Sequence, residues 1–238
     1  MENLLLLHGA LGSSTTMEPL KQALQDTFLV HTLDFSGHGG KPLPQEPFTM
    51  HLFVQDILQF LEQEQISSTH IFGYSMGGYA ALILAMHHPE CIRSIYTLAT
   101  KFAWSEEAAQ KEIKLLNPTK VEEKVPAFAA ALANRHTPQD WKQVMHHTAG
   151  MMLQLGQSPI LSTETLPKVQ LPVRVAVGDR DNMVSVEETL WAYRLLPDAR
   201  LQVQPNTRHP LEALPVCELS QQIRQFIGQL TVYPSVTH

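Results

Sequence analysis

The segment Ile71–Leu82 reads Ile-Phe-Gly-Tyr-Ser-Met-Gly-Gly-Tyr-Ala-Ala-Leu, an apolar run, a Gly-x-Ser-x-Gly motif and a second apolar run. This order predicts a strand, a sharp turn with Ser75 at its corner, and a buried helix, the pattern of a nucleophile elbow. Gly73 and Gly77 lack a Cβ atom, so the turn can be tight and the helix can pack close to the strand. The motif by itself also fits a tight turn without chemistry. The apolar helix predicted over 76–88, which ends before a proline, favours the catalytic interpretation.

Short apolar runs bounded by turn residues alternate with helical patterns along the chain. This alternation predicts an α/β fold with a mostly parallel sheet and helices on both of its faces. Thr15-x-x-Glu18 and Ser185-x-x-Glu188 match the capping box that begins a helix, and further helices are predicted after Thr49 and at the carboxyl end. The predicted strands are Leu4–His8, Leu29–Asp34, His70–Tyr74, Ser94–Ala99, Val173–Gly178 and Arg200–Gln204.

Residues 101–167 interrupt the alternation of strands and helices. They contain no strand-like run, and Ser105, Pro118 and Thr137–Asp140 mark successive helix starts. The methionines and alanines of this segment could form an apolar roof over a pocket or fill a small core of their own, and the sequence leaves both interpretations open. The predicted domains are an α/β core formed by residues 1–100 and 168–238 and a helical lid formed by residues 101–167.

Composition limits the partners that this chain can have. The 238 residues are 44% hydrophobic, which suits a globular protein with a packed core, and the net charge of −6 disfavours nucleic acids and anionic membrane surfaces as partners. Residues 4–7 are all leucine but follow an acidic start, so a strand is expected there and not a signal peptide. Cys91 and Cys217 need no pairing, which favours the cytoplasm. Residues 233–238 are expected to form a loose tail, and the oligomeric state stays open.

Two polar corners follow the last two predicted strands. Gly178-Asp179-Arg180-Asp181 closes the fifth strand and Arg208-His209-Pro210 lies just after the sixth. Ligand sites in doubly wound sheets form at the carboxyl ends of the strands, so we expect one of the two aspartates and His209 to meet Ser75 there. The chain order serine, acid, histidine is typical of the catalytic triad on one α/β fold.

Two glycine-rich loops follow the first two predicted strands. The backbone amides of His8–Ser14 could converge on a developing oxyanion, or the loop could be a plain strand-to-helix turn. The turn Asp34–Gly40 receives no catalytic role, because its glycines are explained by turn geometry. The pairs His87-His88 and His146-His147 do not indicate a metal site, since neighbouring residues on a helix face different directions.

Taken together, these motifs resemble the α/β-hydrolase superfamily, in its lid-bearing branch of small serine esterases. The resemblance covers nearly the whole chain outside residues 101–167, and the family spacing of a glycine with the acid three residues later favours Asp181 over Asp179. No cofactor and no metal is implied. The site residues implied by the resemblance are Ser75 as nucleophile, His209 as general base, Asp181 as orienting carboxylate, and the backbone amides of Ala10 and Met76 as the oxyanion hole.

The resemblance implies a small-molecule ester substrate with a small to medium acyl group, cleaved through an acyl-enzyme. Relatives with the same triad include thioesterases, lactonases, carbon–carbon bond hydrolases and an elimination enzyme of menaquinone biosynthesis. The last shares the Gly-Tyr-Ser-Met-Gly-Gly elbow but usually has an arginine where this chain has Tyr79. A ligand-binding relative without catalysis is a further alternative. The acyl and alcohol specificity stays open.

Overall fold

The computed structural model describes residues 1–232, and side chains as far as residue 230, so the loose tail expected at 233–238 lies outside the described residues. Six parallel strands form a single sheet in the described part, in the order β2-β1-β3-β4-β5-β6. The strand order reverses between β1 and β3, which is where ligands bind in doubly wound sheets. The strands are β1 (Asn3–Leu7), β2 (Leu29–Leu33), β3 (Thr69–Tyr74), β4 (Ile92–Leu98), β5 (Val173–Gly178) and β6 (Ala199–Gln204).

Helices cover both faces of the sheet, as the alternation predicts. The bounds of the helices are α1 (Glu18–Leu24), α2 (Met50–Gln63), α3 (Met76–His87), α4 (Glu106–Ile113), α5 (Pro118–Lys124), α6 (Pro126–His136), α7 (Trp141–Gln157), α8 (Val186–Leu195) and α9 (Val216–Val232). None of the helices within residues 1–232 has the length and apolar character needed to cross a bilayer.

The core has two parts, one on each face of the sheet. Successive strand residues point to opposite faces, so Leu4 and Leu6 pack with α1 and α9, whereas Leu5 and Leu7 pack with α2 and α3. Helix α3 lies at the centre of the larger part and is buried without interruption from Met76 to Ala85. This burial explains why α3 is apolar on all sides. Because α3 is packed in this way, the position of Ser75 directly before it is fixed as well.

The structure confirms one predicted capping box and corrects the other. In α8, Ser185 Oγ accepts from the Glu188 amide at 3.1 Å, and Glu188 Oε2 accepts from the Ser185 amide at 3.1 Å. Thr15 does not cap α1. Instead the Ser13 carbonyl accepts from the Thr16 amide at 3.0 Å, so a 3₁₀ turn forms first and α1 begins only at Glu18.

Residues 101–167, which we call the helical segment, contain α4 to α7 and no strand, and all of them are described. The predicted starts at Ser105 and Asp140 are confirmed, because each side chain caps its helix by accepting a backbone N–H. Asn117 caps the helix that starts at Pro118 in the same way. The start of α6 at Pro126 was not predicted. Its preceding residue, Val125, offers no side-chain oxygen for a cap, so the sequence carries no capping signal there.

Candidate active site

Ser75 forms the corner between β3 and α3, in a backbone conformation that non-glycine residues rarely adopt. Its φ is 50° and its ψ is −114°. Such a conformation costs on the order of 1–3 kcal/mol and persists where neighbouring contacts impose it. Here the Ser75 amide donates to the Leu98 carbonyl at 2.8 Å, and Thr100 Oγ1 donates to the Ser75 carbonyl at 3.0 Å. Both peptide groups of Ser75 are thus tied to the end of β4.

Two glycines allow this corner to form. A Cβ atom at Gly73 would lie 2.5 Å from the Cα of Gly78, where α3 passes over the strand. A Cβ atom at Gly77 would lie 2.6 Å from the Leu7 carbonyl oxygen in β1. Real Cβ atoms do not approach this closely, so the sequence motif is required by backbone contacts on both sides of Ser75.

The predicted acid and base lie in direct contact. His209 Nδ1 donates to Asp181 Oδ2 at 2.8 Å, although the two residues are 28 positions apart in the chain. The other oxygen of Asp181 accepts from the amides of Met183 and Val184 at 2.8 and 2.9 Å, and the carboxylate is fully buried. Because Nδ1 carries the proton that Asp181 accepts, Nε2 of His209 is left as the basic nitrogen.

The alternative acid, Asp179, makes a different contact. Its Oδ1 accepts from the Thr207 amide at 3.3 Å, so its carboxylate links the ends of β5 and β6. Between the two aspartates of this corner, Asp181 is the one that contacts the imidazole of His209.

His209 lies next to the elbow, held through the residue that precedes Ser75. Tyr74 Oη donates to the His209 carbonyl at 2.9 Å, and the rings of the two residues are 5.7 Å apart. Within the described part of the chain, Ser75 Oγ makes no hydrogen bond to His209. Hydrogen bonds of this kind are often long outside the reacting complex and shorten within it.

The loop after β1 lies on the other side of Ser75. Its residue Leu11 has a φ of 58°, and the Gly12 amide donates to the Gly9 carbonyl at 3.0 Å, so the loop turns tightly around Ala10. Met76 is the first residue of α3, and backbone N–H groups at the start of a helix have no partner within it. Ala10 and Met76 both line a cavity with Ser75, which brings the two predicted oxyanion donors to the serine.

The comparisons with known proteins identify the family of this fold. A family model described as alpha/beta hydrolase fold matches residues 2–136. The chain belongs to the α/β-hydrolase family. RutD of Caulobacter segnis, which carries the name of a carbamate hydrolase, is 27% identical over 162 residues, covering 63% of this chain but only 60% of that relative. The mouse serine hydrolase BPHL is 25% identical over 94% of this chain and 78% of its own length.

A solved structure shows the same fold over most of this α/β-hydrolase. The thermophilic esterase of Thermogutta terrifontis superposes with a TM-score of 0.75 at 22% sequence identity, covering 97% of this chain and 90% of the esterase. At this level of identity, the likeness concerns the fold alone.

In this α/β-hydrolase, the helical segment holds the loop after β1. Arg135 Nη1 donates to the Leu11 carbonyl at 2.7 Å, and His136 Nε2 donates to the same oxygen at 3.2 Å. The other ring nitrogen of His136 accepts from the Gly39 amide at 3.2 Å. Sequence reasoning missed Arg135 and His136, and no local signal could have identified them, because their partner is 124 and 125 residues away.

Three buried histidines form a cluster under this loop. His8, His38 and His136 are each 0% exposed, with neighbouring rings 5.2 and 5.7 Å apart. Burial lowers the pKa of His8 and the pKa of His136 to about 4, and the pKa of His38 also lies well below its usual value for the same reason. All three are therefore neutral at pH 7, and both ring nitrogens of His8 and of His136 make hydrogen bonds.

The turn after β2 has the backbone geometry that its glycines predict. Gly37, Gly39 and Gly40 have φ values of 77°, 58° and 87°. The turn also supports the loop after β1, because the carboxylate of Asp34 accepts from the amide and the hydroxyl of Ser14 at 2.6 and 2.8 Å.

Two cavities flank Ala10. The first, of about 40 Å³, is lined by Ser75 and is here called the serine cavity. Lys101 also lines it, but its Nζ donates to the Met183 carbonyl at 2.9 Å and pairs with Glu112 at 3.4 Å. The remaining lining is largely apolar and comes from Met50, Tyr79, Trp104, Met151, Met152 and Leu155.

The second cavity, of about 250 Å³, is lined by His209 and is here called the histidine cavity. It is more polar than the serine cavity, since Thr16, Arg135 and Glu212 contribute to its lining. Ala10 lines both cavities, so a molecule bound across the two would pass directly over the loop after β1.

Of the two interpretations of the methionines in the helical segment, the apolar roof is supported and a separate small core is not, because Met145 packs in the larger part of the main core. Met151 and Met152 line the serine cavity, as an apolar roof would. Met145 is fully buried in the core and is not among the residues that line the serine cavity.

Proposed function

We propose that this α/β-hydrolase is a serine hydrolase that cleaves carboxylic esters of a small to medium acyl group through an acyl-enzyme. The observation that carries the proposal is the 2.8 Å contact between His209 Nδ1 and Asp181 Oδ2 beside the strained corner at Ser75. A serine nucleophile is activated when a neighbouring histidine accepts its proton and a buried carboxylate fixes the tautomer of that histidine.

The chemistry follows from these positions. His209 Nε2 takes the proton of Ser75 Oγ as that oxygen forms a bond to the ester carbonyl carbon. The negative charge that develops on the carbonyl oxygen is stabilised by the amides of Ala10 and Met76. When the bond to the alcohol breaks, His209 returns its proton to the leaving oxygen. A water molecule then attacks the acyl-enzyme with His209 as base, which releases the acid and restores Ser75.

The two cavities suggest which part of the ester binds where. The leaving alcohol receives its proton from His209, so it belongs in the histidine cavity. The acyl group remains bonded to Ser75 and belongs in the serine cavity. Its apolar lining suits a hydrocarbon acyl group, and the polar residues of the histidine cavity suit a polar alcohol.

The position of Tyr79 argues against the elimination reaction among the alternatives. Tyr79 is 2% exposed, and its hydroxyl accepts from the amides of Ile160 and Leu161 at 3.2 and 3.0 Å. Burial raises the pKa of Tyr79 to about 12, so it is uncharged. An acidic substrate would find no positive charge at this position.

The proposal is tested by labelling with a fluorophosphonate probe and by assays with p-nitrophenyl acetate and p-nitrophenyl butyrate. We expect the protein to react stoichiometrically at Ser75 and to hydrolyse both esters. The Ser75→Ala variant should lose labelling and at least about 10⁴-fold in kcat. Ser68→Ala is the control, because it removes a hydroxyl that accepts from Arg93 before the start of β3, at the opposite end of that strand from Ser75, and it should keep both activities. Labelling that persists in Ser75→Ala would refute the proposal.

A further inference from the structure

The serine cavity shares one wall with a neighbouring cavity. Met50, Met151 and Leu155 line the serine cavity on one side and a cavity of about 220 Å³ on the other, which we call the outer cavity. All three wall residues are buried, with 2%, 2% and 4% of their surfaces exposed. The wall is therefore about one side chain thick.

The size of the serine cavity limits the acyl group that fits behind this wall. A volume of about 40 Å³ holds roughly three water-sized groups at about 10–15 Å³ each. Short acyl groups fit this space best, and the fit worsens as the acyl chain lengthens. The outer cavity is more than five times as large, so a longer chain has room once the wall is crossed.

The residues of the wall can move without displacing the backbone. Methionine is unbranched and has three rotatable bonds to its sulfur and methyl group, so it adopts alternative rotamers at low cost. Met50 begins α2 and Met151 lies within α7, so the wall joins two separate helices. Tyr79, by contrast, is fixed by its two hydrogen bonds to Ile160 and Leu161. The methionines are thus the adjustable part of the cavity.

The outer cavity differs from the serine cavity in chemistry. Its lining contains Thr49, His51, Gln154 and Ser158, and it has no aspartate, glutamate, lysine or arginine among the described residues that line it. The amide of Gln154 and the hydroxyls of Thr49 and Ser158 are uncharged, which favours an uncharged polar group on the ligand.

We propose that Met50, Met151 and Leu155 form a gate, and that the outer cavity is an extended subsite for acyl chains of about six or more heavy atoms with an uncharged polar end. The inference rests on the proposed function, since it places the acyl group in the serine cavity. The gate holds the cavity closed around short acyl groups and opens for chains that reach the outer cavity.

The experiment compares p-nitrophenyl acetate, butyrate, hexanoate and 6-hydroxyhexanoate, with active enzyme counted by fluorophosphonate titration. In Met151→Ala, we expect the hexanoate-to-acetate ratio of kcat/KM to rise about tenfold, because a hydrophobic pocket discriminates by about tenfold or more for each methylene that it cannot hold. Met50→Ala shortens the wall residue that α2 contributes and should raise the same ratio. With two variants, the test still gives an answer if one of them folds poorly.

Two other methionines of α7 supply the controls. Met152 lines the serine cavity but not the outer cavity, so Met152→Ala should raise the butyrate-to-acetate ratio without giving 6-hydroxyhexanoate any advantage over hexanoate. Met145 is buried in the same helix and lines neither cavity, so Met145→Ala loses the same atoms from the core and should leave every ratio within twofold.

The proposed binding of a polar end of the acyl chain in the outer cavity is tested separately with Gln154→Ala. Gln154 lines only the outer cavity, so this variant should lower the 6-hydroxyhexanoate-to-hexanoate ratio by about fivefold, the value of one lost hydrogen bond. The gate is refuted if the hexanoate-to-acetate ratios of kcat/KM in Met151→Ala and Met50→Ala match the ratio in Met145→Ala. An unchanged ratio in Gln154→Ala would overturn the polar end. Both differ from failure of the proposed function, in which acetate hydrolysis itself would not depend on Ser75.

Discussion

The two loops that flank Ser75 are held in place in opposite ways. The corner that carries Asp181 is fixed by its own neighbours, since the amides of Met183 and Val184 donate to the carboxylate. The loop after β1 is fixed from a distance, because Arg135 and His136 of the helical segment donate to the Leu11 carbonyl. The carboxylate of Asp181 is thus oriented by amides of its own turn, whereas the carbonyl of Leu11 in the predicted oxyanion loop is bound by side chains of the helical segment.

This difference has a physical cause. A carboxylate at the end of a strand can accept hydrogen bonds from the next two or three amides of the same turn, so it needs no distant partner. The loop after β1 has a residue, Leu11, in the left-handed region, and within residues 1–232 the hydrogen bonds to its carbonyl come from side chains of α6. Changes at the Asp181 corner and changes at the donors to the Leu11 carbonyl should therefore have different effects on activity and stability.

The largest effect is expected at the local corner. Asp181→Asn should lower kcat by about 10⁴-fold, because an amide in place of the carboxylate no longer fixes the required tautomer of His209. The matched control is Asp179→Asn in the same turn, whose side chain bonds to the Thr207 amide and not to His209. We expect that variant to lose less than tenfold. Steady-state kinetics with p-nitrophenyl acetate measure both, and equal losses would refute the assignment of Asp181.

A smaller effect is expected when the pH is lowered. It concerns the free energy of unfolding and His136, which supports the loop after β1 from a distance. The pKa of His136 is about 4 in the folded protein and about 6.5 in the unfolded chain, so the unfolded state binds more protons between these values. Stability should therefore fall as the pH drops from about 6.5 to 4, by roughly 3 kcal/mol for each such histidine, and level off below. His8, with the same folded value, adds to the fall.

Urea unfolding at pH 7, 6 and 5 measures this acid sensitivity. In His136→Gln, the fall in unfolding free energy with pH should be shallower than in the parent protein. The control His146→Gln changes an exposed histidine of α7 and should leave the slope as it was. If both variants kept the slope of the parent protein, the buried histidine would have no part in it.

The smallest effect is expected from removing one of the two donors to Leu11. Arg135→Ala should lower kcat by about tenfold, since His136 retains a hydrogen bond to the same carbonyl while the loop loses its shorter one. Asn134→Ala, an exposed neighbour on α6, is the control and should change kcat by less than twofold. Because Arg135 also lines the histidine cavity, a change in KM alone would show that it binds the alcohol and does not position the loop.

Much of the fold follows from local patterns in the sequence. The six strands lie within two residues of their predicted bounds, because buried parallel strands are short apolar runs between turn residues. The capping residues Thr49, Ser105, Asp140 and Ser185 were correct because a cap depends only on the next three residues. The start of α1 was wrong because Ser13 forms an earlier turn that competes with Thr15.

The candidate site also has one part that local sequence patterns predict and another part that only tertiary packing creates. The sequence by itself determined the elbow at Ser75, the acidic corner and His209, since each depends on residue types at the end of one strand. The residue types alone left Asp179 and Asp181 open, the family spacing favoured Asp181, and the tertiary structure shows that Asp181 is the one in contact with His209. Only the tertiary structure brings Arg135 to the loop after β1 and Met50 together with Met151 to the serine cavity, because contacts between residues more than a hundred positions apart arise from packing and leave no local pattern in the sequence.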